Sequence, residues 1–534
     1  MGLVVAAGAF ATRPLVDLVR SLKSCRPSPR HLVWLALLAP ALLVALTPPR
    51  ATDELSYHLL VPGRSLAVGH LVSPEGNLYA RFPMAIEMLY VDFLAVGADR
   101  ACHLLHLGFA LLAAAAVAAL VRRLAPGTTP LALAVYASLP SLLVVAGQAY
   151  VDLALSAAVS VGLLALVAWE ERPTAAWAVM VGVACGFASA TKYTGLVYAG
   201  LVGVPLVALA LVRRLPRHAA LAAGLGFAIA APWYLRNLVQ LGNPVYPFAW
   251  KLFGGSGLDA ARVHTFAAYL ADFGSGRTGL GRLLLPIDLV RLARHDSPVF
   301  DGLVGPLLLA LAPLAFLGLG DRRSKTLAAG TALAILAWAL GTQQVRFLFP
   351  ILPAYAVLVA AGYARLKSPL SRGVVQLTAA LGLSLALVDA TALGMEAGPV
   401  AYLVGSESRR DFLLRTLDSY AITAAANRTV PGDGHILAAY LRAAHYYFEP
   451  EVTSFAIDEA HALRVVLAGQ PQTDEVARRF RAMGYTHLVF RSDWIFGRWS
   501  SLPLDQRAAL ANFLRDRATL LAEAPGGYSL YSLP

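Results

Sequence analysis

Thr52-Asp53-Glu54-Leu55-Ser56-Tyr57-His58 sets two carboxylates, a phenol and an imidazole directly after an apolar run at 31–48. Such groups are costly inside hydrocarbon and at its edge more often serve chemistry or transport than packing. Asp53, emerging from a rigid run, is the candidate general base, and Glu54 is either the alternative base or the group that orients Asp53 or a metal. His58, about one helical turn on, is placed to hydrogen-bond the acid or to ligate a divalent cation. The plainer reading is that Asp53-Glu54 cap the next helix. Further along, Glu87 and Asp152 add carboxylates, while Arg81, Lys192, Arg236 and Arg346 supply cations. Each of those cations could also snorkel to lipid headgroups.

These residues need elements to hold them, and composition says which kind. Of 534 residues, 58% are apolar and only 14% charged, with mean hydropathy +0.62. Soluble domains carry about 25% charged residues. Apolar runs recur at roughly 31–48, 102–121, 129–147, 152–169, 174–190, 194–212, 218–235, 302–319, 326–341, 347–364 and 373–393. The expected fold is therefore a polytopic α-helical membrane protein of about eleven spans. The formal net charge of +12 fits Arg and Lys in connections facing anionic lipid, not a nucleic-acid surface. Cys25, Cys102 and Cys185 are scattered and form no CxxC, which argues against a disulfide framework or thiolate metal site.

Basic residues mark alternate connections. Arg13, Arg20, Lys23, Arg26 and Arg30 precede the first run, and Arg122-Arg123, Arg172, Arg213-Arg214, Arg322-Arg323 and Arg365 with Lys367 follow. By the positive-inside rule, 1–30 is a cytoplasmic segment rather than a cleaved signal, and 31–393 is the transmembrane domain with outer loops 49–101 and 236–301. Every candidate site residue then falls at an outer helix end or in an outer loop. A transporter predicts polar groups near the midplane and broken helices in matched halves; one outer-face cleft fits better. Within the loops, 59–68 and 83–94 read as interfacial helices flanking a turn at 77–83, and 254–301 reads as a lid.

From about 405, charge rises and spanning runs stop. Helices are expected at 411–427, 473–483 and 503–517, and strands at 435–439, 452–455, 486–490 and 528–533. Region 394–534 thus reads as an outer-face, periplasmic α/β domain, with no GxGxxG or P-loop to bind a nucleotide.

Taken in order, Asp53-Glu54 with Tyr57-His58, Phe82-Pro83, Glu87-Met88-Leu89-Tyr90, Tyr150-Val151-Asp152, Thr191-Lys192-Tyr193, Pro232-Trp233-Tyr234-Leu235-Arg236-Asn237 and Gln344-Val345-Arg346-Phe347 resemble bacterial integral-membrane glycosyltransferases of the GT-C superfamily. These are related to the protein mannosyltransferases and the lipid A aminoarabinose transferase. The resemblance covers most of 50–360. It implies an enzyme of the cell (inner) membrane that transfers a sugar from a polyprenyl-phosphate donor to a lipid, glycan or protein acceptor at the outer face, with inversion. It puts the essential acid on Asp53 and a second acid on Asp152. Lys192, Arg236 and Arg346, with Arg81 in the early loop, would meet the donor phosphate. His58, Asp152 and Glu87 would form the acceptor or metal environment; no cofactor is required beyond a divalent cation at most. The alternative is a transporter or flippase of a lipid-linked sugar, and a third class is a structural or assembly protein.

Overall fold

The computed structural model describes residues 29–534 except 442, 443, 470 and 499. Most of the expected N-terminal segment, 1–28, lies outside the described residues. Among the described residues, five helices are long and apolar enough to cross a membrane: Asp99–Leu124, Asp152–Glu171, Thr194–Val212, Pro216–Leu241 and Pro369–Met395. Shorter apolar helices at Ala175–Thr191 and Leu352–Ala364 pack among them, with Pro29–Ala45 and Arg322–Leu340.

Asp152–Glu171 is the central element, with 78% of its most apolar window buried, against 22% for Pro216–Leu241 and Pro369–Met395. An apolar helix buried on most sides belongs to the bundle interior, whereas apolar sides left open suit lipid. Close approach is achieved through small residues. A Cβ on Gly362 would strike the Leu314 carbonyl, and one on Gly318 would strike Leu358 across the same contact.

Three expected spans are interrupted, each at a proline. Run 129–147 divides into Thr129–Ala137 and Pro140–Val145, because Leu139 is extended (φ −94°, ψ 110°) ahead of Pro140. Run 302–319 becomes Leu307–Ala310 and Ala312–Leu317, with Pro313 in the first turn of the second piece. Run 347–364 begins as a 3₁₀ turn, Val345–Leu348, and becomes α-helical only at Leu352–Ala364.

The two ends of the bundle differ. At the end of Asp152–Glu171 remote from Asp152, Arg123 pairs with Glu171, and Arg323 reaches Glu170 at 3.2 Å and Glu171 at 3.4 Å. Asp152 is at the opposite end, with the long connecting segments and the C-terminal sheet.

That sheet has five strands: β1 (His435–Ala439), β2 (Glu451–Ser454), β3 (His487–Arg491), β4 (Thr519–Ala524) and β5 (Tyr528–Ser532), in the order β2-β1-β3-β5-β4. β1 runs parallel to β2 and β3, and β5 is antiparallel to β3 and β4. Phe480 and Phe513, from helices Thr473–Ala482 and Leu504–Arg517, fill one face; Ile422 and Ala426, from Tyr420–Thr429, fill the other. The expected helix over 411–427 is two, Arg409–Thr416 and Tyr420–Thr429, broken where Leu417 turns extended. β4 was not expected from sequence, since Thr-Leu-Leu-Ala-Glu-Ala has a helix former's composition and takes its strand conformation from pairing with β5.

The sheet region is fastened over the bundle. Arg64 donates to the carbonyls of Phe448, Glu449 and Pro450 at 2.9, 3.2 and 2.7 Å, and the Tyr447 hydroxyl donates to Pro49 O at 2.6 Å. Arg409 holds Asp99 at 2.5 Å. Gly76 (φ +75°) accepts from Ala456 N, and a Cβ there would lie 2.7 Å from Ser454 O. Backbone meets backbone at that point, which needs glycine twice over.

Candidate active site

The chain leaves helix Pro29–Ala45, passes Pro48-Pro49 and winds one wide π-helical turn over Glu54–His58, with Leu59 N bonding back to Glu54 O at 2.8 Å. Such a turn carries an extra residue and re-aims the side chains around it, a frequent device at functional sites. Here it separates the two adjacent acids.

Glu54 points into protein and is 1% exposed. Its Oε2 accepts from Arg50 N and Ala51 N at 3.0 and 2.9 Å; its Oε1 accepts from Ala149 N at 2.5 Å and lies 2.8 Å from His103 Nε2. Both oxygens are engaged. Burial opposes the charge of Glu54, but His103 and the amides outweigh it, so its carboxyl stays below the usual glutamate range. Engaged in this way, Glu54 ties the first connecting segment to the loop before Asp152. Glu54→Ala should therefore lower stability by about 3–5 kcal/mol, the scale for breaking a buried ion pair, as a fall in thermal unfolding temperature of the detergent-solubilised protein.

Asp53 points the other way. Its Oδ2 lies 2.5 Å from Arg346 Nη1 and accepts the Tyr57 hydroxyl at 3.3 Å. Burial pushes its pKa up, and Arg346, with His58 and Lys192, more than offsets this, holding the carboxyl below its ordinary value. Asp53 is thus an ionised carboxylate with the charge to accept a proton. Arg346, by the same pairing, is held well above its ordinary pKa against the opposing effect of burial.

Arg346 comes from the 3₁₀ turn Val345–Leu348. Its Nη2 donates to Gln344 Oε1 at 3.4 Å, and Gln344 Nε2 donates to Asp301 Oδ2 at 2.8 Å. The guanidinium lies 5.3 Å from the Tyr150 ring centroid and 5.6 Å from that of Phe347. Lys192, just past helix Ala175–Thr191, packs on the same Phe347 ring at 4.0 Å and pairs with Asp152 Oδ1 at 2.9 Å. Two acid–base pairs therefore flank one phenyl ring. Arg346 Nε and Asp152 Oδ2 are buried without a hydrogen-bond partner among the described residues, a condition that an incoming polar group would relieve.

Two cavities meet at Asp53 and Arg346. The inner one, about 350 Å³, is mainly apolar and aromatic, lined by Tyr79, Phe82, Tyr193, Phe248, Phe266 and Phe347, with Lys192, His58 and Glu87 also in its wall. The outer one, about 1040 Å³, is as polar as it is apolar and lies beneath the sheet region. Asp53, Tyr79, Tyr269, Phe273, Gln344 and Arg346 border both.

His58 is directed at Glu87, with Nδ1 2.7 Å from Oε1, and not at Asp53. Among the described residues no three His, Cys, Asp or Glu side chains converge as a metal site requires. The position beside Asp53 that a cation would fill already holds Arg346.

Arg236 and Arg81 stand apart from both cavities. Arg236 Nη2 donates to the carbonyls of Ala80 and Phe82 at 3.3 Å, and Arg81 donates to Gln240 Oε1 at 2.6 Å. Asn237 Nδ2 completes this clamp on Arg81 O at 2.6 Å. Arg236 and Arg81, expected at a phosphate from their place at outer helix ends, here donate to Ala80 O, Phe82 O and Gln240 Oε1, and Arg236 Nη1 is buried without a partner among the described residues. Sequence reasoning left out the roles of Tyr57, Tyr150 and Gln344 beside Arg346, although all three lie in stretches it singled out. Nothing in the sequence marked Asp301 or His103.

No protein-family model and no curated protein matches the chain. Solved structures do. ArnT from Cupriavidus metallidurans bound to undecaprenyl phosphate aligns over 95% of this chain and 98% of its own, with TM-score 0.59 and 15% identity. The Archaeoglobus fulgidus oligosaccharyltransferase AglB, in complex with an inhibitory peptide and a dolichol-phosphate, aligns over 95% of this chain and 75% of its own, with TM-score 0.51 and 14% identity. Its complex with Zn and sulfate aligns with TM-score 0.54 at 13% identity, over 93% of this chain and 73% of its own. The chain thus shares its fold with ArnT and the archaeal oligosaccharyltransferase over 95% of its length.

Proposed function

We propose that the protein transfers a sugar from a polyprenyl-phosphate-linked donor to an acceptor hydroxyl at the outer face of the cell membrane. The observation that carries this reading is the Asp53–Arg346 pair on the border of two cavities of different character. An isoprenoid tail and its sugar suit the inner, aromatic cavity, with the phosphate near Arg346 and Lys192; the acceptor enters from the outer chamber. The ArnT and AglB structures with undecaprenyl phosphate and dolichol-phosphate support a donor of this class.

In this reading Asp53 takes the proton of the acceptor hydroxyl as its oxygen bonds to the anomeric carbon. The bond from that carbon to the phosphate oxygen breaks, and its electron pair leaves on the phosphate, where Arg346 and Lys192 stabilise the developing charge. Asp152 positions Lys192. The fastened sheet region limits water at the reacting carbon. A single displacement inverts the anomeric configuration. Domain boundaries at 31–393 and 394–534, an outer-face sheet domain and a cytoplasmic N-terminus belong to the same proposal.

Purified protein in detergent, given polyprenyl-phosphate sugars and candidate acceptors, should form a new glycosidic bond. Vectorial movement of the lipid-linked sugar in vesicles without such a bond would establish the transporter instead. Because Arg346 neutralises Asp53, transfer should persist after exhaustive EDTA treatment; activity abolished by EDTA and restored by a divalent cation would return the metal role to His58 and Glu87.

A further inference from the structure

The lining of the outer chamber is uneven in charge. Among the described residues, six carboxylates line it, from Asp53, Glu75, Asp296, Asp301, Glu396 and Glu459, with three guanidinium groups, from Arg50, Arg346 and Arg415, and the imidazoles of His295 and His445. Arg346 is engaged by Asp53, and Arg415 by Glu407, which lies outside the lining. The described lining thus carries more acidic than basic side chains, which disfavours a phosphorylated acceptor. Carboxylates accept hydrogen bonds from hydroxyl groups, in the charge-assisted and short form.

A second feature points into the same space. His445, in the 3₁₀ turn Ala444–Tyr447 between β1 and β2, lines the chamber while only 8% exposed. Its Nε2 has no hydrogen-bond partner among the described residues. Burial pulls its pKa down to about 4, so the ring is neutral near neutral pH. A neutral imidazole presents one donor and one acceptor, the pair that a hydroxyl group, itself donor and acceptor, satisfies in full. Trp494 also lines the chamber, beside Tyr440 with ring centroids 5.6 Å apart, and an indole is an apolar surface on which the C–H side of a pyranose can rest.

We propose that the outer chamber takes an uncharged, hydroxyl-rich carbohydrate acceptor, which His445 positions through Nε2 and Trp494 supports from the side. This rests on the glycosyl-transfer reading and narrows its acceptor to a neutral glycan.

The test uses the full chain in detergent with a panel of neutral glucose, galactose, mannose and N-acetylglucosamine oligosaccharides, and separately with lipid A and undecaprenyl phosphate. Binding is read by saturation-transfer NMR. At least one neutral oligosaccharide should bind, about 3- to 10-fold more weakly in His445→Ala, the scale of one lost hydrogen bond. His445→Gln should recover part of the loss, since an amide also donates and accepts, and Trp494→Ala should weaken binding without altering that of undecaprenyl phosphate. Binding of lipid A with no neutral oligosaccharide bound, or oligosaccharide binding unchanged in both the His445 and Trp494 variants, would overturn the proposal. The two failures separate: loss of undecaprenyl phosphate binding at an intact oligosaccharide site refutes the donor reading and leaves the chamber assignment standing.

Discussion

Asp53→Asn should lower sugar transfer by about 10²–10⁴-fold, the usual contribution of general acid–base catalysis, while the protein stays folded and still binds its polyprenyl-phosphate donor. The substitution keeps the size of the side chain and an oxygen to accept the Tyr57 hydroxyl, now at 3.3 Å. It removes the charge that takes the proton and that holds Arg346 at 2.5 Å. Because Arg346 is then released toward the phosphate, donor affinity should hold or rise as turnover falls. That opposite movement is the signature, since a folding defect would lower both. Transfer rate and equilibrium binding of polyprenyl phosphate, measured on one preparation, check it. If Asp53→Asn remains nearly fully active while a folded Glu54→Gln is inactive, the base is Glu54, and its buried contacts with Ala149 and His103 must open during the reaction. If both stay active, the proposed chemistry at this turn is wrong.

How much of this was legible in the sequence depends on the range of the interaction. Apolar runs located the long helices, because burial in lipid demands length and composition that are written locally. Pro140 and Pro313 were equally visible, but the length criterion outweighed them, and those runs broke where proline forbids continuation. At the site, Asp53, Asp152, Lys192 and Arg346 were singled out by type and position, yet their pairing was not. Asp53 and Arg346 are 293 residues apart, and a local reading cannot choose between Arg346, Arg236 and Arg81 as the partner. Arg236 and Arg81 looked the same in sequence, and only the fold shows them clamping backbone and each other's neighbours. The opposite orientations of Asp53 and Glu54 were illegible for another reason. The π-helical turn that parts them is set by the capture of Glu54 by Ala149 and His103, both far along the chain.

Arg346→Ala should reduce transfer by about 10²–10³-fold, the range for removing one preorganised donor to a developing oxyanion, and Arg346→Lys should recover only part. The planar fork now reaches Asp53 through Nη1 and Gln344 through Nη2, leaving the buried Nε unbonded among the described residues. A lysine supplies charge at one point and cannot span those directions. The loss should appear in the KM for the phosphorylated donor as well as in kcat, because the same group holds the phosphate on arrival and stabilises it on leaving. Lys192, packed on the same Phe347 ring, carries part of the phosphate charge when Arg346 is gone, so the variant lacking both should lose more transfer than the product of the two single effects. Removing Arg346 also leaves the Asp53 carboxylate without its counter-charge, which should raise the pKa of Asp53 toward and above its ordinary value. The acid limb of the pH–rate profile should then move to higher pH in Arg346→Ala and less so in Arg346→Lys. An unchanged donor KM, with the acid limb unmoved, would mean that Arg346 meets neither the phosphate nor the base in the working enzyme.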